Sequence, residues 1–180
     1  MQIAIVTVSD RASRGEYPDR SGPAIEAWLT EAISSSFSLV RRIVPDGVAS
    51  VRDELISLCD QQGYDLILTT GGTGPAPRDE TPEAMREVMV KELPGFGELL
   101  RRVSLEQTQT AILSRQTAGT RGRSLIINLP GNPASICICL DSVFPAVPYC
   151  LDLIGAGRIE THPDKVKTVR PAPQCATAAR

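Results

Sequence analysis

The chain has 180 residues, a formal net charge of −2, and 42% hydrophobic and 22% charged side chains, with an isoelectric point near 5.5. That length suits one domain, which buries roughly 70% of the surface its unfolded chain exposes, and the composition fits an ordinary globular protein rather than a disordered or membrane-embedded one. Without a global basic field, nucleic acid is excluded as the main partner, and any anion must be held locally.

Residues 1–6 lack the basic flank and small-residue cleavage site of a signal peptide, so a cytoplasmic location is expected. Residues 3–8, rich in Ile and Val, predict a strand covered on both faces. After a polar loop, Ile25, Trp28, Leu29, Ala32 and Ile33 recur at helical spacing, predicting a helix from about Pro23. The stretch 38–44 predicts a strand that ends at Pro45-Asp46-Gly47. Ser50 and Asp53 resemble a capping pair for a helix with Val51, Leu55, Leu58 and Cys59 inward, closed by Gly63.

Residues 65–70 predict a short buried strand, followed at once by Gly71-Gly72-Thr73-Gly74. Thr81 reads as an N-cap before Pro82, opening a helix to about Val90. A helix over 97–109 follows, then strands at 111–113 and 124–129 around a turn at 119–122. Asn132-Pro133 repeats the cap-then-proline signal for a helix to about Val143, and another spans 146–154. Beyond Gly157 the periodicity stops and prolines accumulate, so residues 158–180 are expected to be a loosely attached tail on a domain formed by 1–157.

Strands alternating with helices predict an α/β fold, a three-layer open, mostly parallel sheet with helices on both faces. Such sheets bind ligands at the carboxyl ends of their strands. Four polar or glycine-bearing loops are expected there: Ser9-Asp10-Arg11, Pro45-Asp46-Gly47, Gly71 through Asp79, and Asn128 through Pro133.

Consecutive glycines allow close approach to a phosphate, and their N–H groups can form an anion-binding concavity. No Lys-Ser or Lys-Thr follows and GxGxxG is absent, so neither a P-loop nor a dinucleotide fingerprint is present, and a plain turn is the alternative reading. Asp79 stands where a carboxylate could hold Mg²⁺ while the loop grips phosphate, or it complements a helix dipole, a role worth about 0.3–1 kcal/mol. Asp46 carries the same two readings, because Pro-Asp-Gly is also a turn sequence. The single histidine, His162, lies in the expected tail, which removes hydrolase triads from consideration. The five cysteines (Cys59, Cys137, Cys139, Cys150, Cys175) have no metal-ligand spacing, and Cys137 and Cys139 would face apart on a helix. Arg115, Arg121 and Arg123 flank a turn, where solvated surface side chains and substrate contacts are both open readings.

Thr7-Val8-Ser9-Asp10-Arg11-Ala12-Ser13, Thr69-Thr70-Gly71-Gly72-Thr73-Gly74 with Arg78-Asp79-Glu80-Thr81-Pro82-Glu83-Ala84, Leu93-Pro94-Gly95-Phe96-Gly97-Glu98, Leu113-Ser114-Arg115 and Asn128-Leu129-Pro130-Gly131 closely resemble the molybdopterin adenylyltransferases of molybdenum cofactor biosynthesis, the MogA type. The match spans about residues 3–154. The resemblance implies transfer of AMP from ATP to molybdopterin with release of pyrophosphate, a requirement for Mg²⁺, a homotrimer, and hand-off to a molybdate-insertion protein. It also implies roles for particular residues. Asp46 and Asp79 match the two carboxylates of adenylyl transfer, with metal handling assigned more firmly to Asp79. Thr70, Gly71, Gly72, Thr73 and Gly74 match the nucleotide or pterin-phosphate loop. Ser9, Ser104, Ser114 and Asn128 match substrate-holding polar positions, with Asp10 and Arg115 in the same motifs, while Pro130 and Gly131 shape the adjoining loop. Two departures stand out: Gly47 replaces an acidic residue common in relatives, and the link from Cys139 to Val147 is shorter than in some. A MoaB-type sister protein and a non-catalytic pterin-binding scaffold are the competing readings.

Overall fold

The computed structural model describes residues 1–171; Cys175 and the end of the expected tail lie outside the described residues. Six strands form one sheet: β1 (Gln2–Val8), β2 (Ser38–Val44), β3 (Leu66–Thr70), β4 (Lys91–Glu92), β5 (Ala118–Arg121) and β6 (Ser124–Leu129), in the order β2-β1-β3-β6-β5-β4. The four strands from β2 to β6 are mutually parallel, and β5 and β4 add antiparallel at the far edge. The helices are α1 (Asp10–Ser13), α2 (Ser21–Ala32), α3 (Val48–Ile56), α4 (Thr81–Val88), α5 (Pro94–Leu105), α6 (Pro133–Val143) and α7 (Val147–Leu153).

The near-continuous apolar runs of β1, β3 and β6 follow from burial on both faces. Alternate residues feed two cores. Ile3, Ile5, Leu66, Leu68, Leu125 and Ile127 pack with Ile25, Trp28 and Leu29 of α2, Leu100 of α5 and the apolar faces of α6 and α7. Ala4, Val6, Ile67 and Ile126 pack with Val51 and Leu55 of α3 and Ala84, Met85 and Val88 of α4. The predicted three-layer architecture is therefore present.

From β1 the chain moves outward to β2, then returns across β1 to place β3 on its other side. This reversal lies between the carboxyl ends of β1 and β3, the place where an open α/β sheet leaves a crevice for ligand.

Several local expectations are corrected. Residues 111–113 belong to a 3-10 turn (Gln109–Leu113), and the strand that pairs with β6 is Ala118–Arg121. Ala-Gly-Thr-Arg has little of the alternation that marks a strand, and its pairing with β6 and β4 supplies what its propensity lacks. The turn accordingly falls at Gly122-Arg123. Ser50 does not cap α3. Gly47 occupies that position, and the Ser50 hydroxyl donates back to the carbonyls of Pro45 (2.8 Å) and Gly47 (3.0 Å). Thr81 is the first residue of α4 rather than its cap, and α5 begins at Pro94, earlier than predicted.

The expected looseness beyond Gly157 does not hold for residues 158–171. Ile159 (0% exposed) and Val166 (3%) enter the larger core, Thr161 bridges Ile33, and Arg170 joins Asp152 at 2.6 Å and Glu160 at 3.1 Å. Packing of single side chains requires no periodicity, so the missing pattern marked irregular backbone rather than detachment. The run Pro133–Leu153 reaches a mean hydropathy of 1.6 over a membrane-span window. Here it is a core element: Ile136, Leu140, Val143, Phe144, Val147 and Leu151 are buried, and Phe144 meets Trp28 edge-on at 4.7 Å.

Candidate active site

Gly71 leaves β3 at φ +99°, and a Cβ there would lie 2.3 Å from the main-chain oxygen of Val8 at the end of β1. Gly72 follows at φ +61°, where a Cβ would fall 2.2 Å from the Thr81 hydroxyl. Only glycine satisfies both the left-handed backbone and the close approach. The loop is held through its carbonyls. Gly71 O accepts from the Thr81 hydroxyl (3.0 Å), Gly72 O from the Thr81 N–H (3.1 Å), Thr73 O from the Arg115 N–H (2.9 Å), and Gly74 O from Arg115 Nε (3.0 Å). No acceptor among the described residues takes the N–H of Gly72, Thr73 or Gly74. Four tied oxygens beside three uncommitted donors give the loop an anion-seeking face.

The carboxylates gather on the α3 and α4 side. Asp10 and Asp46 exchange bonds: the Asp10 N–H donates to Asp46 Oδ2 at 2.7 Å and the Asp46 N–H to Asp10 Oδ1 at 3.1 Å. Arg78 makes a forked pair with Asp10, both contacts at 3.1 Å, and also donates to the Asp46 carbonyl. Asp79 folds back under the loop, its Oδ2 accepting from the Ala76 N–H at 3.2 Å and standing 2.7 Å from where a Gly74 Cβ would be. The hydrogen bond from Arg78 holds the Asp10 carboxyl below its usual range. Asp46 is pushed the other way, first by burial and then by the charges of Asp10 and Asp79. An incompletely neutralised carboxylate beside anion-seeking amides suits a cation that arrives with its own phosphate oxygens.

On the α2 and α6 side a cleft of about 640 Å³ opens, lined by Ser9, Thr70, Asp19, Ser21 and Gly131 and rimmed by Arg11, Tyr17 and Arg20. Asp19 sets its inner wall, accepting from the Thr7 hydroxyl and from the N–H groups of Ser21 and Gly22, each at 3.0 Å. The Thr70 hydroxyl donates to Pro130 O at 2.7 Å, and the Ser21 hydroxyl to Gly131 O at 2.8 Å. The arginines of the rim flank the Tyr17 ring at 5.2 and 5.6 Å. The glycine loop thus separates a carboxylate cluster from a cleft with a basic rim.

A family described as a probable molybdopterin-binding domain matches residues 4–149. The chain belongs to this molybdopterin-binding family. It is 50% identical over 171 residues to the molybdopterin adenylyltransferase of Helicobacter pylori, covering 95% of this chain and 97% of that one. It is 45% identical over 183 residues to the molybdopterin adenylyltransferase of Escherichia coli K12, covering 95% and 94%. The solved structure of the molybdopterin biosynthesis enzyme MoaB from Thermus thermophilus superposes with a TM-score of 0.80 at 43% identity, covering 88% of this chain and 99% of that one. A MogA structure superposes at 0.77, so the fold is common to both types, and the two curated adenylyltransferases align over 95% of the sequence.

Within this family fold, the sequence-derived candidates divide in two. Ser9, Asp10, Asp46, Thr70 through Gly74, Asp79, Pro130 and Gly131 converge on the reversal between β1 and β3, and Arg115 touches the same loop. Ser9 caps α1, its hydroxyl accepting from the Ala12 N–H at 3.2 Å. Ser104 and Asn128 are interior. Ser104 meets the buried Cys139 thiol at 3.6 Å, and Asn128, 0% exposed, donates to the Thr69 hydroxyl across the β3–β6 pair. Ser114 sits beside Arg115 with a buried hydroxyl that finds no partner among the described residues. Sequence reasoning missed Arg78, Asp19, Thr81 and Glu83 as side chains that hold the site. Arg78, Thr81 and Glu83 lay within a quoted motif, but their partners are 10 to 68 residues distant, and no local pattern encodes such pairings.

Proposed function

We propose that this chain transfers AMP from ATP to molybdopterin in molybdenum cofactor biosynthesis. A terminal phosphate oxygen of molybdopterin attacks the α-phosphorus of ATP, the bond to the bridging oxygen breaks, and pyrophosphate leaves. The observation that carries this reading is the loop with tied carbonyls and free N–H groups beside Asp46 and Asp79. Such a transfer needs charge neutralisation and in-line positioning more than a strong base, and no histidine stands among the residues described above.

Asp79 and Asp46 would hold Mg²⁺ together with phosphate oxygens, and the ion supplies neutralisation of the triphosphate charge. Two carboxylates fit this role, because magnesium is commonly held by one or two protein carboxylates plus substrate phosphates. The loop from Thr70 to Gly74 takes phosphate, Ser9 and Gly131 line the substrate cleft with Pro130 behind them, and Asp10 orients Asp46 on the other side of the loop. Asn128 and Ser104 support this frame from within, and Ser114 borders it. In this reading the protein works in the cytoplasm as a homotrimer, with the apolar groove of about 400 Å³ lined by Leu93, Phe96, Leu99, Val143 and Pro145 offered as a subunit contact, and it passes its product to a molybdate-insertion protein.

Pyrophosphate release measured with and without molybdopterin tests the reading. Release from ATP that depends on the pterin and falls to a small residual rate in Asp79→Asn is expected. Tight pterin binding with no release at any ATP concentration would establish a scaffold instead.

A further inference from the structure

Asp79 stands at the end of a segment that does little to hold itself. Residues 75–78 are exposed, Pro75 and Pro77 have no N–H to give, and the internal bonds are the Asp79 N–H to Ala76 O at 2.9 Å and the Ala76 N–H to the Asp79 carboxylate. A carboxylate so placed needs outside restraint to keep one position.

Arg78 ties one side of the segment to Asp10 and the Asp46 carbonyl, and the restraint on the side of the glycine loop comes from Arg115, in the segment between the 3-10 turn and β5. Its N–H donates to Thr73 O at 2.9 Å, and its Nε to Gly74 O at 3.0 Å. Its Nη2 donates to Asp79 O, and its Nη1 to Glu83 Oε1 in the first turn of α4. One guanidinium therefore spans both ends of the loop and the helix behind it. Glu83 is itself fixed, since the same oxygen accepts from Arg86 at 3.2 Å. Each nitrogen of the Arg115 fork already donates one bond to the protein, three of its five N–H groups in all, so the plane of the guanidinium is set by Gly74, Asp79 and Glu83 rather than by a ligand.

We propose that Arg115 is a positioning residue that closes the 74–79 loop and thereby sets the Asp79 carboxylate, rather than a substrate contact. This rests on the adenylyl-transfer reading for its kinetic consequence, but its structural half does not. A planar fork with fixed donor directions suits the task, and lysine, whose three donors sit on one nitrogen at the end of a flexible stem, lacks the width of that fork. Misplacement of a reacting group by about 1 Å can cost about 10²-fold in rate.

The test compares wild type, Arg115→Gln, Arg115→Lys and Glu83→Gln. In hydrogen exchange on the ligand-free protein, Arg115→Gln should speed exchange of the Ala76 and Asp79 amides by about tenfold or more, with Glu83→Gln a milder version. In kinetics, kcat should fall about 10²-fold while KM for ATP and molybdopterin stays within about threefold. Arg115→Lys should restore little of the rate. Arg115→Gln placed on Asp79→Asn should cause almost no further loss, because both changes remove one function. Unchanged exchange, a rise in KM with kcat intact, or losses that multiply in the double variant would overturn the proposal. Failure of wild type to release pyrophosphate would instead remove the function reading, while the exchange comparison would still decide whether Arg115 holds the loop.

Discussion

The N–H of Asp10 donates to the carboxylate of Asp46 at 2.7 Å, and the N–H of Asp46 donates back to the carboxylate of Asp10 at 3.1 Å. This reciprocal pair ties the carboxyl end of β1 to that of β2 and brings two acids together. Arg78 offsets part of the repulsion by its forked contact with Asp10, and Asp46, pushed up first by burial and then by its acidic neighbours, carries the remainder of the cost.

The first prediction concerns that remainder. A carboxyl whose folded pKa lies above its unfolded value favours the folded state only while protonated, so ionised Asp46 works against folding as pH rises past the ordinary value of 3.8. Asp46→Asn should therefore raise the melting temperature at neutral pH while slowing adenylyl transfer. In wild type, the acid limb of kcat/KM against pH, which reports the free enzyme, should lie above the usual aspartate range, and this limb should vanish in the variant. A lowered melting temperature together with an unaltered limb would remove both assignments.

Backbone geometry makes the second prediction. Gly71→Ala sets a methyl against a main-chain oxygen at 2.3 Å in a left-handed conformation, whereas at Gly131 the nearest atom to such a methyl is 3.5 Å away. The strain at position 71 should cost on the order of 1–3 kcal/mol in urea unfolding, and ATP binding should weaken with it. Gly131→Ala should leave stability nearly unchanged. Equal effects at the two positions would contradict the close packing of β1 on the loop.

Asp65 supplies a pH test remote from the site. Burial pushes its carboxyl up, yet the N–H groups of Gln2 (2.8 Å) and Gly157 (2.9 Å) and the Arg123 guanidinium (3.0 Å) hold it below the usual range. The stabilisation is complete above the unfolded value and is lost as pH falls through the lower folded value, so acid unfolding should begin below about pH 4. Asp65→Ala should destabilise by about 2–3 kcal/mol at neutral pH and flatten the acid transition.

The last prediction tests the anchoring of the chain after α7. Ile159→Ala removes a wholly buried side chain from the larger core, and the loss should be about 2–5 kcal/mol. Trp28, in that same core, offers a fluorescence signal for the unfolding curve. A cost under about 0.5 kcal/mol, typical of surface positions, would restore the picture of a loose tail.

The layered sheet was legible because β1, β3 and β6 carry unbroken apolar runs and α2 a helical stripe, patterns set by burial itself. The convergence of Ser9, Asp46, Gly71 and Asp79 was legible because strand carboxyl ends share one edge of a parallel sheet. What stayed hidden depends on partners distant in sequence. Nothing near Thr117 or Ala118 marks β5, which exists because β6 and β4 bond it. Nothing near Arg170 announces Asp152 and Glu160. For Ser104 and Asn128 the family resemblance implies substrate contacts, but a polar side chain can equally serve a neighbouring strand or thiol, as these two do here.

The glycine loop draws its sign from the orientation of its peptide units. Changing Thr73 for another residue alters no dipole that matters there, so chemical drift at this position should leave phosphate preference intact. Selectivity of this origin resides in the covalent chain, and it is lost only when the path of that chain is bent.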